Sequence, residues 1–154
     1  MKYDVFISYS RHDYYDGSGN VLEENTISLI LKFLKDNGVK YWFDQRFVQP
    51  AESFSKEINE AIENCNFFLF LSSVNSNASE WVEGEVAIAR SKEKIIIPFR
   101  MDASPYSPSI NLYLQHLHYS LNKTQKTFLL LHNEDIHYHK RNKRLLFWQK
   151  LILV

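Results

Sequence analysis

The run "NFFLFLS" (66–72) limits the possible folds more than any other stretch of the chain. Its apolar residues follow one another without alternation. A strand with one wet face alternates apolar and polar residues, whereas a strand apolar throughout is covered on both faces. "KIIIPF" (94–99) has the same character. Two such strands require a sheet with layers above and below it.

The neighbouring segments supply those layers. "YDVFISYS" (3–10) is rich in β-branched and aromatic residues and ends in the polar cluster "RHDYYDGSGN", which predicts a strand and then a loop. In "VLEENTISLILKFLKDNG" (21–38), Leu22, Ile27, Ile30, Leu31 and Leu34 recur at helical spacing and Asn37-Gly38 is a stop signal. "VKYWF" (39–43) reads as a strand, "DQRFVQPAES" (44–53) as a loop, and "FSKEINEAIENC" (54–65) as a helix whose apolar side is Phe54, Ile58, Ala61, Ile62 and Cys65. "SVNSNASE" (73–80) is a polar loop and "WVEGEVAIARS" (81–91) a helix. Strands alternating with helices predict an α/β sandwich around a parallel sheet. Beyond residue 100 the pattern blurs, although "KRNKRLLFWQKLILV" (140–154) looks like a closing helix that docks on the core.

The 154 residues read as one domain, 1–154, long enough to bury a core unaided. Lys+Arg and Asp+Glu balance at 18 each, which argues against a nucleic-acid-coating chain and leaves little repulsion against self-association. Cys65 is the only cysteine, so no intrachain disulfide forms and a reducing compartment is expected. The N-terminal apolar run is too short for a secretory signal, and no run approaches the ~20 residues that span a bilayer. A cytoplasmic protein that binds neither membrane nor nucleic acid is expected.

In open α/β sheets, ligands bind at the carboxyl ends of the strands, near the point where strand order reverses. Those ends are "SYSRHD", "FDQRF" and "LSSVNS", together with the start of the helix holding Trp81 and Glu85. With these pieces in order, the chain resembles a Toll/interleukin receptor (TIR) domain. "YDVFISYSRHD" is similar to the family's opening strand and first loop. "GVKYWFDQRFVQPAESFSKEINEAIENC" is similar to its second strand, Pro-containing loop and following helix. "NFFLFLSSVNSNASEWVEGE" matches its central strand and S…W-x-x-x-E segment, and "KIIIPF" its fourth strand. The likeness covers Tyr3 to about Met101. It implies a flavodoxin-like, doubly wound α/β sandwich, with a central parallel sheet of about five strands and helices on both faces.

The family holds both adaptors, which act only by assembly, and enzymes that cleave NAD⁺ at the nicotinamide–ribose bond. In the enzymes the catalytic carboxylate is the Glu of W-x-x-x-E, here Glu85. The chemistry suits one carboxylate. The bond breaks through an oxocarbenium-like transition state, and nicotinamide departs neutral, so no acid has to protonate it. Trp81 and Glu85, at i and i+4, share a helix face, whereas Glu83 lies about 200° around the helix from Glu85. Trp81 is then expected as an aromatic wall, and Arg11 as a partner for the diphosphate. Asp44 is a candidate ribose contact or loop anchor, and Ser8 and Tyr9, which close the first strand at the site, are candidate substrate contacts.

Arg46, Phe47 and Pro50 fall on the loop that, by the resemblance, meets a neighbouring TIR domain on assembly. Ala51 stands where many members have glycine, which removes easy access to positive φ there. NAD⁺ is expected as substrate, with no cofactor and no metal. The pairs His116/His118 and His137/His139 lack further ligands at zinc-like spacing. "DGSGN" lacks the third glycine of a dinucleotide loop, and no Ser/His/Asp or Cys/His nucleophile context is present. The expected function is an NAD⁺ glycohydrolase or cyclase, activated by self-assembly in antiphage or cell-death signalling. The alternatives are a non-catalytic TIR adaptor and an N-glycosidase acting on another nucleoside or nucleotide.

Overall fold

The computed structural model describes residues 2–23, 25–44 and 53–114. Four parallel strands form the sheet among these residues: β1 (Tyr3–Ser8), β2 (Tyr41–Trp42), β3 (Cys65–Ser72) and β4 (Ile95–Arg100), in the order β2-β1-β3-β4. About five strands were expected. Any further one lies outside the described residues. The helices are α1 (Thr26–Asp36), α2 (Ser53–Glu63), the short α3 (Val74–Asn77) and α4 (Glu80–Ser91); residues 108–114 are also helical.

The strand order explains the layers. From β1 the chain steps outward to β2, then returns past β1 to β3 and continues to β4. Right-handed crossovers in opposite directions place their helices on opposite faces. On one face α1 contributes Ile27, Leu31 and Leu34, which meet Val5, Ile7, Leu69 and Leu71. On the other, α2 and α4 contribute Ile58, Ile62, Val82 and Val86, which meet Phe6, Phe68 and Phe70. The unalternating β3 is thus buried on both faces, as its composition demands. Phe6 stacks between Phe68 and Trp42, with ring centroids 5.2 and 4.6 Å away.

Local chemistry sets the element ends. The α1 helix starts five residues later than the predicted span because Asn25 caps it, its side chain accepting from Ser28 N at 2.6 Å. Val21 instead bridges antiparallel to Tyr15. The helix closes at Gly38, φ 67°, where Gly38 N donates to Lys35 O and Val39 N to Leu34 O. Cys65, expected on a helix, opens β3, and the predicted strand 39–43 is regular only at Tyr41–Trp42. Ser73 caps α3 inside a stretch expected to be loop.

Candidate active site

Alternation along β1 sorts its side chains between the two layers. Val5, Ile7 and Tyr9 face the α1 side; Phe6 and Ser8 face the α4 side. The Ser79 side chain caps α4, accepting from Val82 N at 3.3 Å, so the helix begins beside the carboxyl ends of β1 and β3. Its buried residues are Val82, Glu85, Val86 and Ala89, an ordinary core-facing stripe. Glu85 is the exception in chemistry, a carboxyl group in a position that spacing assigns to an apolar side chain.

Glu85 is only 6% exposed. Its Oε2 accepts from Ser8 Oγ at 2.5 Å and its Oε1 from Trp81 Nε1 at 2.9 Å. Burial pushes its pKa up to about 8; the bonds from Ser8 and Trp81 oppose the rise, nearby Asp44 adds to it and Arg11 opposes it. Glu83, the rival carboxylate, does not line the cleft above Glu85.

That cleft has a volume of about 150 Å³ and is walled by Tyr9, Arg11, Trp42, Asp44, Trp81 and Glu85, among others. It lies where strand order reverses, the position expected for a ligand. Arg11 and Asp44, both predicted as substrate contacts, are ion-paired with each other. Tyr9 turns away from the α4 side, stacks on Phe43 at 4.6 Å and donates its hydroxyl to Asp44 O at 2.5 Å. Burial, with Tyr15 and Asp44 nearby, raises its phenol far above the usual range. Ser8 is fully buried behind Glu85 and is not a cleft wall. Trp81 does border the cleft, but its indole N–H is turned to Glu85.

Ser10, His12, Trp42 and Ser79 also line the cleft and were missed from sequence. The available signal was position, since each sits within a few residues of a predicted strand or helix end at the sheet's carboxyl edge. Arg46, Phe47, Pro50 and Ala51 lie outside the described residues, as do both His pairs and residues 140–154. Among the described residues no three His, Cys, Asp or Glu side chains are grouped as a metal would require, and no helix is long and apolar enough to cross a membrane.

The family model described as "TIR domain" matches residues 5–131. The chain belongs to the TIR domain family. Among curated relatives, this TIR domain is similar to a 2' cyclic ADP-D-ribose synthase, BtTIR of Bacteroides thetaiotaomicron. It is 24% identical to that protein over 118 residues, 71% of this chain and 38% of the relative. It is also similar to a probable 2' cyclic ADP-D-ribose synthase, TcpO of Methanobrevibacter olleyae, at 25% identity over 84 residues, 54% of this chain and 22% of the relative. The chain therefore spans well under half the length of these relatives. A solved TIR domain, from the Toll-related receptor TRR-2 of Hydra magnipapillata, superposes with a TM-score of 0.53 at 26% identity, covering 75% of this chain and 81% of that one.

Proposed function

We propose that this TIR domain cleaves NAD⁺ at the nicotinamide–ribose bond, releasing nicotinamide and ADP-ribose or a cyclic isomer. The observation that carries the reading is the buried Glu85 carboxyl group, held by two donors at the base of a cleft at the sheet's switch point. The names of the two curated relatives support the same class of chemistry.

Burial keeps Glu85 largely neutral at pH 7, its pKa lying at about 8. A pyridinium ring entering beside it brings a positive charge, which favours the carboxylate. Substrate charge and catalytic charge thus arise together. As the bond to nicotinamide breaks, its electron pair goes to the ring nitrogen, and positive charge moves to the ribose carbon facing Glu85. In a site shielded from water this attraction is stronger in the transition state than before it. Water attack at that carbon yields ADP-ribose; attack by a hydroxyl or ring nitrogen of the same molecule yields a cyclic product. NAD⁺ is consumed as substrate, and no cofactor takes part.

The cleft is smaller than the roughly 300–1,000 Å³ that encloses a drug-sized ligand. It accepts the nicotinamide riboside end, Trp81 bordering the ring and the Arg11–Asp44 pair standing toward the diphosphate and ribose. Self-assembly, which the family resemblance assigns to the segment holding Arg46, Phe47 and Pro50, supplies the contacts to the remainder, which makes activity dependent on concentration. Antiphage or cell-death signalling is the setting that fits depletion of NAD⁺ or release of a cyclic messenger.

The test is nicotinamide release by concentrated protein from NAD⁺, compared with NADH and with simple nucleosides. NAD⁺ alone should yield nicotinamide, because the reduced ring carries no charge and is a poor leaving group. Comparable cleavage of NADH or nucleosides, or none of NAD⁺ at any concentration, contradicts the proposal.

A further inference from the structure

We infer that Ser8 is a positioning residue for Glu85, a hydroxyl sealed behind the carboxyl group that fixes how the group faces the cleft. Ser8 is 0% exposed, which puts its side chain out of reach of any ligand. Its Oγ nonetheless lies 2.5 Å from Glu85 Oε2. The hydroxyl is placed by the sheet itself, because Ser8 pairs with Phe70 in the β1–β3 register. The terminal torsion of a glutamate is otherwise broad. With Ser8 on Oε2 and Trp81 on Oε1, both ends of the carboxyl group are held and that freedom is removed.

The two donors are not equivalent. Trp81 is 36% exposed and borders the cleft, so a ligand reaches it directly. Ser8 acts only through Glu85. A carboxylate accepts at about four lone-pair sites; one bond from each donor leaves two, matching the two adjacent hydroxyls of a ribose. Among the described residues, the charged and titratable groups around Glu85 are Tyr9 and Arg11 at and after the end of β1, Asp44 after β2, and His12 at the cleft wall. Arg11 and Asp44 bond each other, and Ser8 and Trp81 bond the carboxyl group directly.

The experiment follows the Glu85 carboxyl carbon by NMR in ¹³C-labelled protein across pH, without substrate. It compares the wild type with Ser8→Ala, Ser8→Thr and Ser76→Ala. Ser76 is equally buried but bonds within the α3 cap, so its variant controls for loss of any buried hydroxyl. Losing a bond that favours the ionised form should move the Glu85 midpoint up by about one pH unit in Ser8→Ala. Threonine should restore the wild-type midpoint, and Ser76→Ala should leave it in place. A midpoint unchanged in folded Ser8→Ala overturns the inference; should that variant not fold, Ser8→Cys, a near-isosteric weak donor, must show the rise instead.

The kinetic arm rests on the function proposed above. In Ser8→Ala, kcat for nicotinamide release should fall roughly tenfold with KM within twofold, and the pH of half-maximal rate should move with the NMR midpoint. A fall in kcat with an unshifted pH profile marks a merely structural role and counts against the inference. Absence of NAD⁺ cleavage by the wild type refutes the functional proposal alone, because the titration still decides the Ser8 assignment.

Discussion

Glu85 carries a cost that can be measured without any substrate. Folding takes its carboxyl group from an ordinary pKa of 4.5 to about 8. Between those values the folded protein retains a proton that the unfolded chain has released. Stability contributed by the neutral group is therefore complete below the unfolded value, declines as pH rises through this window, and levels off above about 8. Glu85→Gln has no proton to lose. Relative to the wild type it should gain on the order of 4 kcal/mol between pH 4 and pH 8.5, read from urea unfolding at the two pH values. A wild type that gains on the variant as pH rises would contradict the burial argument. At this scale the sequence showed Trp81 and Glu85 on one face, and it placed Arg11, Asp44 and Tyr9 near them. It did not show that Arg11 and Asp44 pair, that the Trp81 indole N–H turns to the carboxyl group, or that Ser8 lies sealed behind it. Such pairings depend on distances across elements far apart in the chain, and spacing within one element carries no record of them.

The end of α1 was legible because one local device dominates there, Gly38 in the left-handed region, whereas the caps at Asn25, Ser73 and Ser79 fell inside stretches read as helix interior or loop. The α4 helix ends through the same bond pattern, Glu93 N donating to Arg90 O and Lys94 N to Ala89 O, but without glycine. Glu93 holds φ 53° there. An L side chain in that region costs roughly 1–2 kcal/mol, partly offset by the greater unfolded freedom of glycine. Glu93→Gly should therefore raise stability by about 0.5–1 kcal/mol in thermal or urea unfolding. Destabilisation would show that the Glu93 side chain contributes more than its backbone costs. The missed α3 helix and the displaced start of α1 have a shared cause. Ser and Asn favour caps and turns alike, so a polar run does not reveal which it forms.

For the whole molecule, the unalternating "NFFLFLS" was the strongest constraint, because a strand apolar throughout is covered on both faces. β3 lies in the interior of the sheet beside β1, and the crevice opens at their carboxyl ends. Loop chemistry then braces the rim of that crevice. Asp13, after β1, accepts from Ser73 Oγ at 2.5 Å and Asn75 Nδ2 at 2.7 Å, while Val74 N donates to Asp102 after β4 at 2.8 Å. The helix carrying Glu85 thus starts from a platform tied to three strand ends. Beyond residue 100 the pattern blurred, since "LYLQHLHYSLN" and "KTFLLLH" suit strand and helix equally. The central claim is that one buried carboxylate performs the chemistry, and the most direct measurement compares nicotinamide release from NAD⁺ by the wild type, Glu85→Ala and Glu83→Ala. Loss confined to Glu85→Ala, by about a thousandfold or more, is the predicted result. Equal loss in both variants, or none in Glu85→Ala, would contradict the assignment.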